Sequence, residues 1–134
     1  MALIQWDEKF SVKIPSIDAQ HKKLFDMINE LGGVITQPNS GAAHKIVAEL
    51  VNYTVMHFMY EENLLEEHHY TGLEDQREEH DRLTGQVMNY KKNLESGQAI
   101  DLGELQSFML DWLSGHILES DMKYSEYLTG RGVQ

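Results

Sequence analysis

The sequence has no cysteine, only two prolines and half as many basic as acidic residues, 11 against 22 in 134 residues. Without cysteine, neither a disulfide framework nor a thiolate metal site can form. The net charge of -11 argues against nucleic acid and anionic membrane surfaces, because both require a basic face. No apolar run is long enough to span a bilayer, and the first residues lack the basic and apolar regions of a signal peptide. We therefore expect a cytoplasmic protein with no nucleic-acid partner and no membrane contact.

Apolar residues recur at alternating spacings of three and four in four segments, which is typical of amphipathic helices. The segments are 16–35, 42–67, 73–94 and 101–128. Ser16 or Asp18 is expected to cap the first helix, and Asp101 the fourth. Residues 1–15 lack a helical period and predict an extended arm, and 129–134 predict a flexible tail. The predicted fold of the single domain 1–134 is an all-α, up-down-up-down antiparallel four-helix bundle.

Polar residues interrupt the four apolar stripes near one end of this bundle. They are His21, His57, Glu61, Gln76, His80, His116 and Asp121. Because the connections are short, the start of the first and third helices and the end of the second and fourth share that end, within about 15 Å. A lone core histidine is usually structural, but four of them on separate helices, together with two carboxylates, indicate a metal site. An internal ion pair is the other way to satisfy such groups.

Imidazole and carboxylate ligands suit iron, manganese or zinc. Six or seven ligands exceed what one tetrahedral ion needs, so two ions bridged by Glu61 and Asp121 are the economical interpretation. His116 and Asp121 are five residues apart, about 140° around a regular helix. The spacing therefore predicts a local π-type widening between them.

These residues resemble the hemerythrin family in its single-domain bacterial form, over nearly the whole chain. The matching motifs are Trp6-Asp7, Asp18-Ala-Gln-His21, His57-Phe-Met-Tyr-Glu61-Glu62, Glu79-His80, and His116-Ile-Leu-Glu-Ser-Asp121 with Tyr124. The resemblance implies a non-haem di-iron centre with an oxo or hydroxo bridge, which binds dioxygen reversibly as hydroperoxide.

The resemblance also implies a role for each candidate ligand. His21 and His57 would hold the iron that keeps an open position, and His80 and His116 would hold the other iron. Glu61 and Asp121 would bridge the two. The family has a further histidine four residues before His80, and here that position is Gln76. Its amide oxygen is expected to ligate weakly, to hydrogen-bond the cluster, or to give way to water.

Several further residues receive expectations of a simpler kind. A dry wall for a small gas molecule is expected from Leu24, Phe25, Phe58, Trp112, Leu113 and Ile117, with Tyr124 beside the cluster. Core filling is expected from Met27, Met56, Met59, Met88 and Met109. A solvated position is expected for His44, His68, His69, Glu62, Glu66 and Glu67.

The leading functional hypothesis is oxygen binding for storage, transport or scavenging, with no residue assigned as catalytic. Small anions or peroxide are further expected ligands at the iron, and the protein is expected to be a monomer. One alternative is a di-iron enzyme that reacts with peroxide or nitric oxide. Another is an oxygen or redox sensor module, a form usually tethered to a signalling domain.

Overall fold

The computed structural model describes residues 5–37, 40–98 and 100–133, and the longer regular elements in these ranges are all helices. They are α1 (Pro15–Glu30), α2 (Gly41–Glu67), α3 (Leu73–Glu95), α4 (Leu102–His116) and α5 (Met122–Thr129). A π-helical segment, Ile117–Asp121, joins α4 to α5 and makes one continuous fourth helix. The predicted all-α four-helix bundle is confirmed. The turn expected at 38–41 lies partly outside the described residues.

The first helix begins at Pro15, ahead of both residues that the sequence predicted as its cap. Pro15 occupies its first position, where the missing N–H costs nothing, and Ile14 before it makes no side-chain cap bond. The prediction of a cap at Ser16 or Asp18 is therefore wrong. The helix also ends at Glu30, ahead of two glycines, so Ile35 lies beyond it.

Asp18 attaches the N-terminal arm to the bundle instead of capping the helix. Its carboxylate accepts a hydrogen bond from Ser11 Oγ at 2.6 Å and another from the Val12 N–H at 2.9 Å. Ser125 Oγ, on α5, donates to the Val12 carbonyl at 2.5 Å. Since the Val12 side chain is completely buried, these bonds fix an arm that also closes the core.

The other caps follow their sequence signals. Asp101 accepts a hydrogen bond from the Glu104 N–H at 3.1 Å, which confirms the predicted start of the fourth helix. Ser40 does the same for the Ala43 N–H at the start of α2, also at 3.1 Å. After the C-terminal end of α3, Gly97 has φ +83°. Glycine adopts this left-handed conformation readily because it has no Cβ, and helices often end in this way.

The burial predicted for the methionines from the apolar pattern is only partly correct. Met27 and Met109 are buried as predicted, but Met56, Met59 and Met88 are 42%, 60% and 45% exposed, so the prediction of core filling is wrong for them. Met56 and Met59 flank the buried pair at 57 and 58 and therefore point away from the bundle axis.

The chain leaves the last helix in hydrogen-bonded turns. The Val133 N–H donates to the Leu128 carbonyl at 3.1 Å, and Val133 packs against the core. The flexible tail at 129–134 stays a prediction. Across the described ranges, no helix combines the length and apolar character needed to cross a bilayer.

Candidate metal centre

The seven polar residues that the sequence indicated as candidate ligands lie at one end of the bundle, and each is at most 6% exposed. They are His21 on α1, His57 and Glu61 on α2, Gln76 and His80 on α3, and His116 and Asp121 on the fourth helix. Because α1 and α3 begin where α2 and the fourth helix end, side chains from all four helices meet at this level. The structure thus brings together every residue that the sequence indicated as a candidate ligand.

The π-helical segment allows His116 and Asp121 to face the same cluster. Residues five apart diverge by about 140° in a regular α-helix. The wider turn instead brings residues five apart into line, and His116 Nε2 lies 3.0 Å from Asp121 Oδ1. The local widening predicted from the spacing is confirmed.

Glu61 lies between two pairs of histidines. Its Oε2 is 3.7 Å from His21 Nε2 and 3.3 Å from His57 Nε2. Its Oε1 is 3.0 Å from His80 Nε2. The potential ligand atoms form two groups, each within 4.8 Å, and Glu61 belongs to both. The groups are His21, His57 and Glu61, and Glu61, His80 and His116.

Asp121 repeats this arrangement from the opposite helix. Its Oδ2 is 3.3 Å from His21 Nε2, and its Oδ1 is 3.0 Å from His116 Nε2. Each of the two carboxylates therefore offers one oxygen to either side of the cluster. Carboxylates placed in this way bridge the ions of paired-metal sites in helix bundles.

The same atoms fit a metal better than they fit one another. Six side-chain atoms of the cluster are buried without a hydrogen-bond partner: His21 Nδ1 and Nε2, Glu61 Oε1, Gln76 Oε1, His116 Nδ1 and Asp121 Oδ2. Glu61 Oε1 lies only 3.0 Å from His80 Nε2, yet the angles between them do not make a hydrogen bond. His80 Nε2 and His116 Nε2 do share a hydrogen bond at 3.2 Å. Unpaired buried polar atoms are costly, however, and the six that converge here are suited to a shared cation. Imidazole and carboxylate donors suit iron, manganese or zinc.

Two of the histidines are oriented by hydrogen bonds on their outer nitrogens. His57 Nδ1 donates to Gln20 Oε1 at 2.6 Å, and His80 Nδ1 donates to Glu62 Oε2 at 2.8 Å. Because an amide oxygen and a carboxylate can only accept, the ring proton is on Nδ1 in both cases. In the neutral imidazole, each Nε2 then presents a lone pair to the cluster, as in many metal sites.

This outer layer was missed in the sequence. The prediction that Glu62 lies on a solvated face is wrong, because it binds a buried imidazole and lies 3.4 Å from Arg77 Nε. Glu79 lies 3.5 Å from His116 Nδ1, and both of its oxygens accept from Ser120 Oγ at 2.9 Å. Each outer partner is adjacent in sequence to a candidate ligand. A step of about 100° turns it toward a neighbouring helix.

Gln76 contacts the cluster through its amide nitrogen. Nε2 donates to Asp121 Oδ1 at 3.3 Å, and a carboxylate can only accept, so the amide oxygen faces away from it. That oxygen is buried and has no partner. Three roles were expected for Gln76: weak ligation, a hydrogen bond to the cluster, or replacement by water. The contact with Asp121 corresponds to the second.

In the absence of metal, the buried carboxylates attract protons to the imidazoles. Burial opposes charge on His21, but Asp121 and Glu61 outweigh it and raise its pKa to about 9. For His116 the opposing effect of burial is likewise outweighed, chiefly by Asp121, and its pKa is also about 9. Burial lowers the pKa of His57. Protons and metal ions therefore compete for the same nitrogens.

Aromatic rings close the side of the cluster that faces the middle of the bundle. Phe58 stacks on His80 with ring centroids 3.9 Å apart, and Trp112 stacks on His116 at 4.4 Å. Both rings line a cavity of about 10 Å³, too small to hold a water comfortably. The other residues that line it are Leu24, Ile28, Thr54, Leu83, Met109 and Leu113.

Two residues expected at the gas pocket, Phe25 and Ile117, lie outside this lining. Phe25 packs edge-to-face on Phe10 of the arm, with centroids 5.2 Å apart. Ile117 is completely buried as the first residue of the π-helical segment. Tyr124 lies beside the cluster, and its hydroxyl donates to Glu61 Oε2 at 2.9 Å.

Comparison with known proteins agrees with this geometry. The family model described as the Hemerythrin HHE cation binding domain matches residues 12–128. A bacteriohemerythrin from Stenotrophomonas maltophilia (strain R551-3) is 31% identical over 126 residues, 94% of this chain and 82% of that protein. Another, from Methylococcus capsulatus, is 32% identical over 130 residues, 96% and 99% of the two chains.

A crystal structure of wild-type hemerythrin superposes on the bundle with a TM-score of 0.87. Its sequence is 32% identical, and the match covers 92% of this chain and 96% of that one. Both the sequence of nearly the whole chain and the arrangement of its helices thus lead to the same conclusion: the protein is a member of the hemerythrin family.

Proposed function

We propose that this protein binds dioxygen reversibly at a pair of non-haem iron ions, for storage, transport or scavenging in the cytoplasm. Its membership in the hemerythrin family supports a di-iron oxygen-binding protein. The single observation that carries the proposal further is the placement of Glu61 and Asp121, each of which offers one oxygen to each half of the histidine cluster.

The candidate ligands divide between the two ions as the distances suggest. His21 and His57 would hold one iron, His80 and His116 the other, and Glu61 with Asp121 would bridge them. When bound, a ferrous pair supplies two electrons and a coordination position for dioxygen. Two buried carboxylates require positive charge nearby, and a pair of divalent metal ions would supply it.

The surrounding residues have separate tasks in this proposal. Gln20 and Glu62 hold two imidazole rings with their lone pairs inward. Phe58 and Trp112 cover the rings and keep water from the apolar side, which protects a reduced centre from side reactions. Burial, together with the nearby carboxylates, raises the pKa of Tyr124 well above its ordinary value, so it keeps its proton and donates steadily to Glu61.

The test is the iron content of the purified protein together with its visible spectrum in air and under argon. We expect two irons per chain and charge-transfer bands that appear with air and vanish when oxygen is removed. Glu61→Gln should lower the iron content and abolish the reversible bands. Glu49→Gln is a matched control on the exposed side of the same helix and should keep both. One iron or none in the wild type, or reversible bands in Glu61→Gln, would contradict the proposal.

A further inference from the structure

A second cavity adjoins the cluster from the end of the bundle. It has a volume of about 50 Å³. Most of its lining side chains are polar, and the residues that line it are Tyr70, Gly72, Asp75, Gln76, Glu79, Ser120 and Lys123. The apolar cavity is instead lined by residues toward the middle of the bundle. Leu24 lies one turn after His21 on α1, and Leu83 lies one turn after His80 on α3. The cluster thus has a polar side and an apolar side.

Gln76 lies between this polar cleft and the cluster. It lines the cleft, is 3% exposed and donates to Asp121 on the other side. Its Oε1 is buried and has no hydrogen-bond partner. Buried acceptors are normally satisfied, so this oxygen would accept from a small donor in the cleft once the Gln76 side chain shifts toward the space that it lines.

Size and charge restrict what that donor can be. A single water needs about 10–15 Å³ of such space, so the cleft holds a few waters or one molecule of similar size. Asp75 and Glu79 carry two negative charges against the one positive charge of Lys123, and the chain as a whole carries -11. An anion is therefore disfavoured, and a small uncharged molecule with O–H groups is favoured. Hydrogen peroxide and water have these properties, whereas dioxygen has no donor.

We propose that the polar cleft is an entry for hydrogen peroxide and water to the metal position beside His80 and His116. Gln76 Oε1 accepts a hydrogen bond from the entering molecule, where an imidazole would instead close the position. The inference rests on the proposed di-iron function and adds a second entry, distinct from the apolar side.

The first experiment counts exchangeable waters, which needs no turnover. Each protein is loaded with manganese(II) and the relaxation rate of water protons is measured. We expect Gln76→His to lose about one rapidly exchanging water per chain, because one imidazole replaces one ligand. Gln106→His is a matched control: Gln106 is also buried and donates to the Ile28 carbonyl at 3.1 Å. It lies ten residues before His116, about 15 Å along the helix, so its water count should equal that of the wild type.

The second experiment compares two oxidants on the reduced iron protein by stopped flow. Hydrogen peroxide takes two electrons from the ferrous pair and two protons from solvent and leaves as two waters, so no other reactant is needed. We expect Gln76→His to slow this reaction roughly five- to tenfold, which corresponds to the free energy of about one hydrogen bond. Asp75→Leu places an apolar side chain at the exposed mouth and should also slow the peroxide reaction, while the rate of dioxygen binding should stay the same.

The outcomes separate this inference from the proposed function. If the wild type fails to bind two metals per chain, both are overturned. If it binds two irons and oxygen reversibly, but Gln76→His changes neither the water count nor the peroxide rate, only the cleft is overturned. An equal slowing of the peroxide and dioxygen reactions in Asp75→Leu would likewise overturn a separate polar entry.

Discussion

Replacing Tyr124 by phenylalanine tests how much one buried hydrogen bond contributes to the cluster. The Tyr124 hydroxyl and Glu61 Oε2 are 2.9 Å apart, and both side chains are completely buried. Phenylalanine keeps the ring, including its edge contact with Tyr70, and removes only the hydroxyl. The carboxylate then loses a donor that water cannot replace. We expect metal-free Tyr124→Phe to lose about 1.5–3 kcal/mol of unfolding free energy, the range for hydrogen bonds to charged groups.

The chain provides a matched control for this substitution. The Tyr90 hydroxyl also donates to a carboxylate, Glu104 Oε1, but at 3.3 Å and on the surface. Water replaces that bond, so Tyr90→Phe should change the unfolding free energy by no more than about 0.5 kcal/mol. In a Glu61→Gln background the acceptor is neutral, and Tyr124→Phe should cost only about 1 kcal/mol.

The assay is urea unfolding of the metal-free proteins at pH 7, followed by circular dichroism. For a chain of this length, the loss in Tyr124→Phe corresponds to a fall in Tm of roughly 5–10 °C. Equal losses in Tyr124→Phe and Tyr90→Phe would refute the reasoning, since burial would then make no difference. So would a Tyr124→Phe protein within about 0.5 kcal/mol of the wild type.

Three further predictions concern other parts of the molecule. Metal-free protein should lose stability as pH rises from 6.5 toward 9, because His21 and His116 have folded pKa values of about 9 and release their stabilising protons there. Unfolding at several pH values checks this, and a loss confined to acid pH would contradict it. Asp18→Ala should free the arm at a cost of about 1–3 kcal/mol and speed hydrogen exchange at the Val12 amide, whereas unchanged exchange would show that the arm is held otherwise. In the iron-loaded protein, Gln76→His should lengthen the lifetime of the oxygenated form in air, and an equal lifetime would contradict a second exchangeable position.

The sequence predicted those features that follow from helical period and loop length. Four stripes with spacings of three and four predict four helices, and the rise along each helix places the polar interruptions at one end. The five-residue spacing of His116 and Asp121 even predicted the π-helical segment, because no regular helix could point both inward.

The sequence was less informative where a residue type suits two different structural positions. Asp18 is a good cap by type, but Pro15 already begins the helix and the carboxylate binds the arm. Methionine suits both core and surface, so Met59 could not be placed by its hydropathy. Glu62 has the exposed character of its neighbours, and only the position of α3 beside α2 shows that it holds His80.

The π-helical segment also determines the phase of everything that follows it. Ser125 and Leu128 of α5 are buried because the wide turn takes up one extra residue, which in a regular helix would rotate them by about 100°. Deleting a single residue between 117 and 120 would bring His116 and Asp121 to a spacing of four, which a regular α-helix already aligns, so α5 would keep its orientation. Asp121 would stay at the cluster, and the Ser125 bond that attaches the arm would be kept. Inserting a residue would instead rotate α5 by about 100° and remove both contacts, so this short stretch should tolerate the loss of one residue far better than the gain of one.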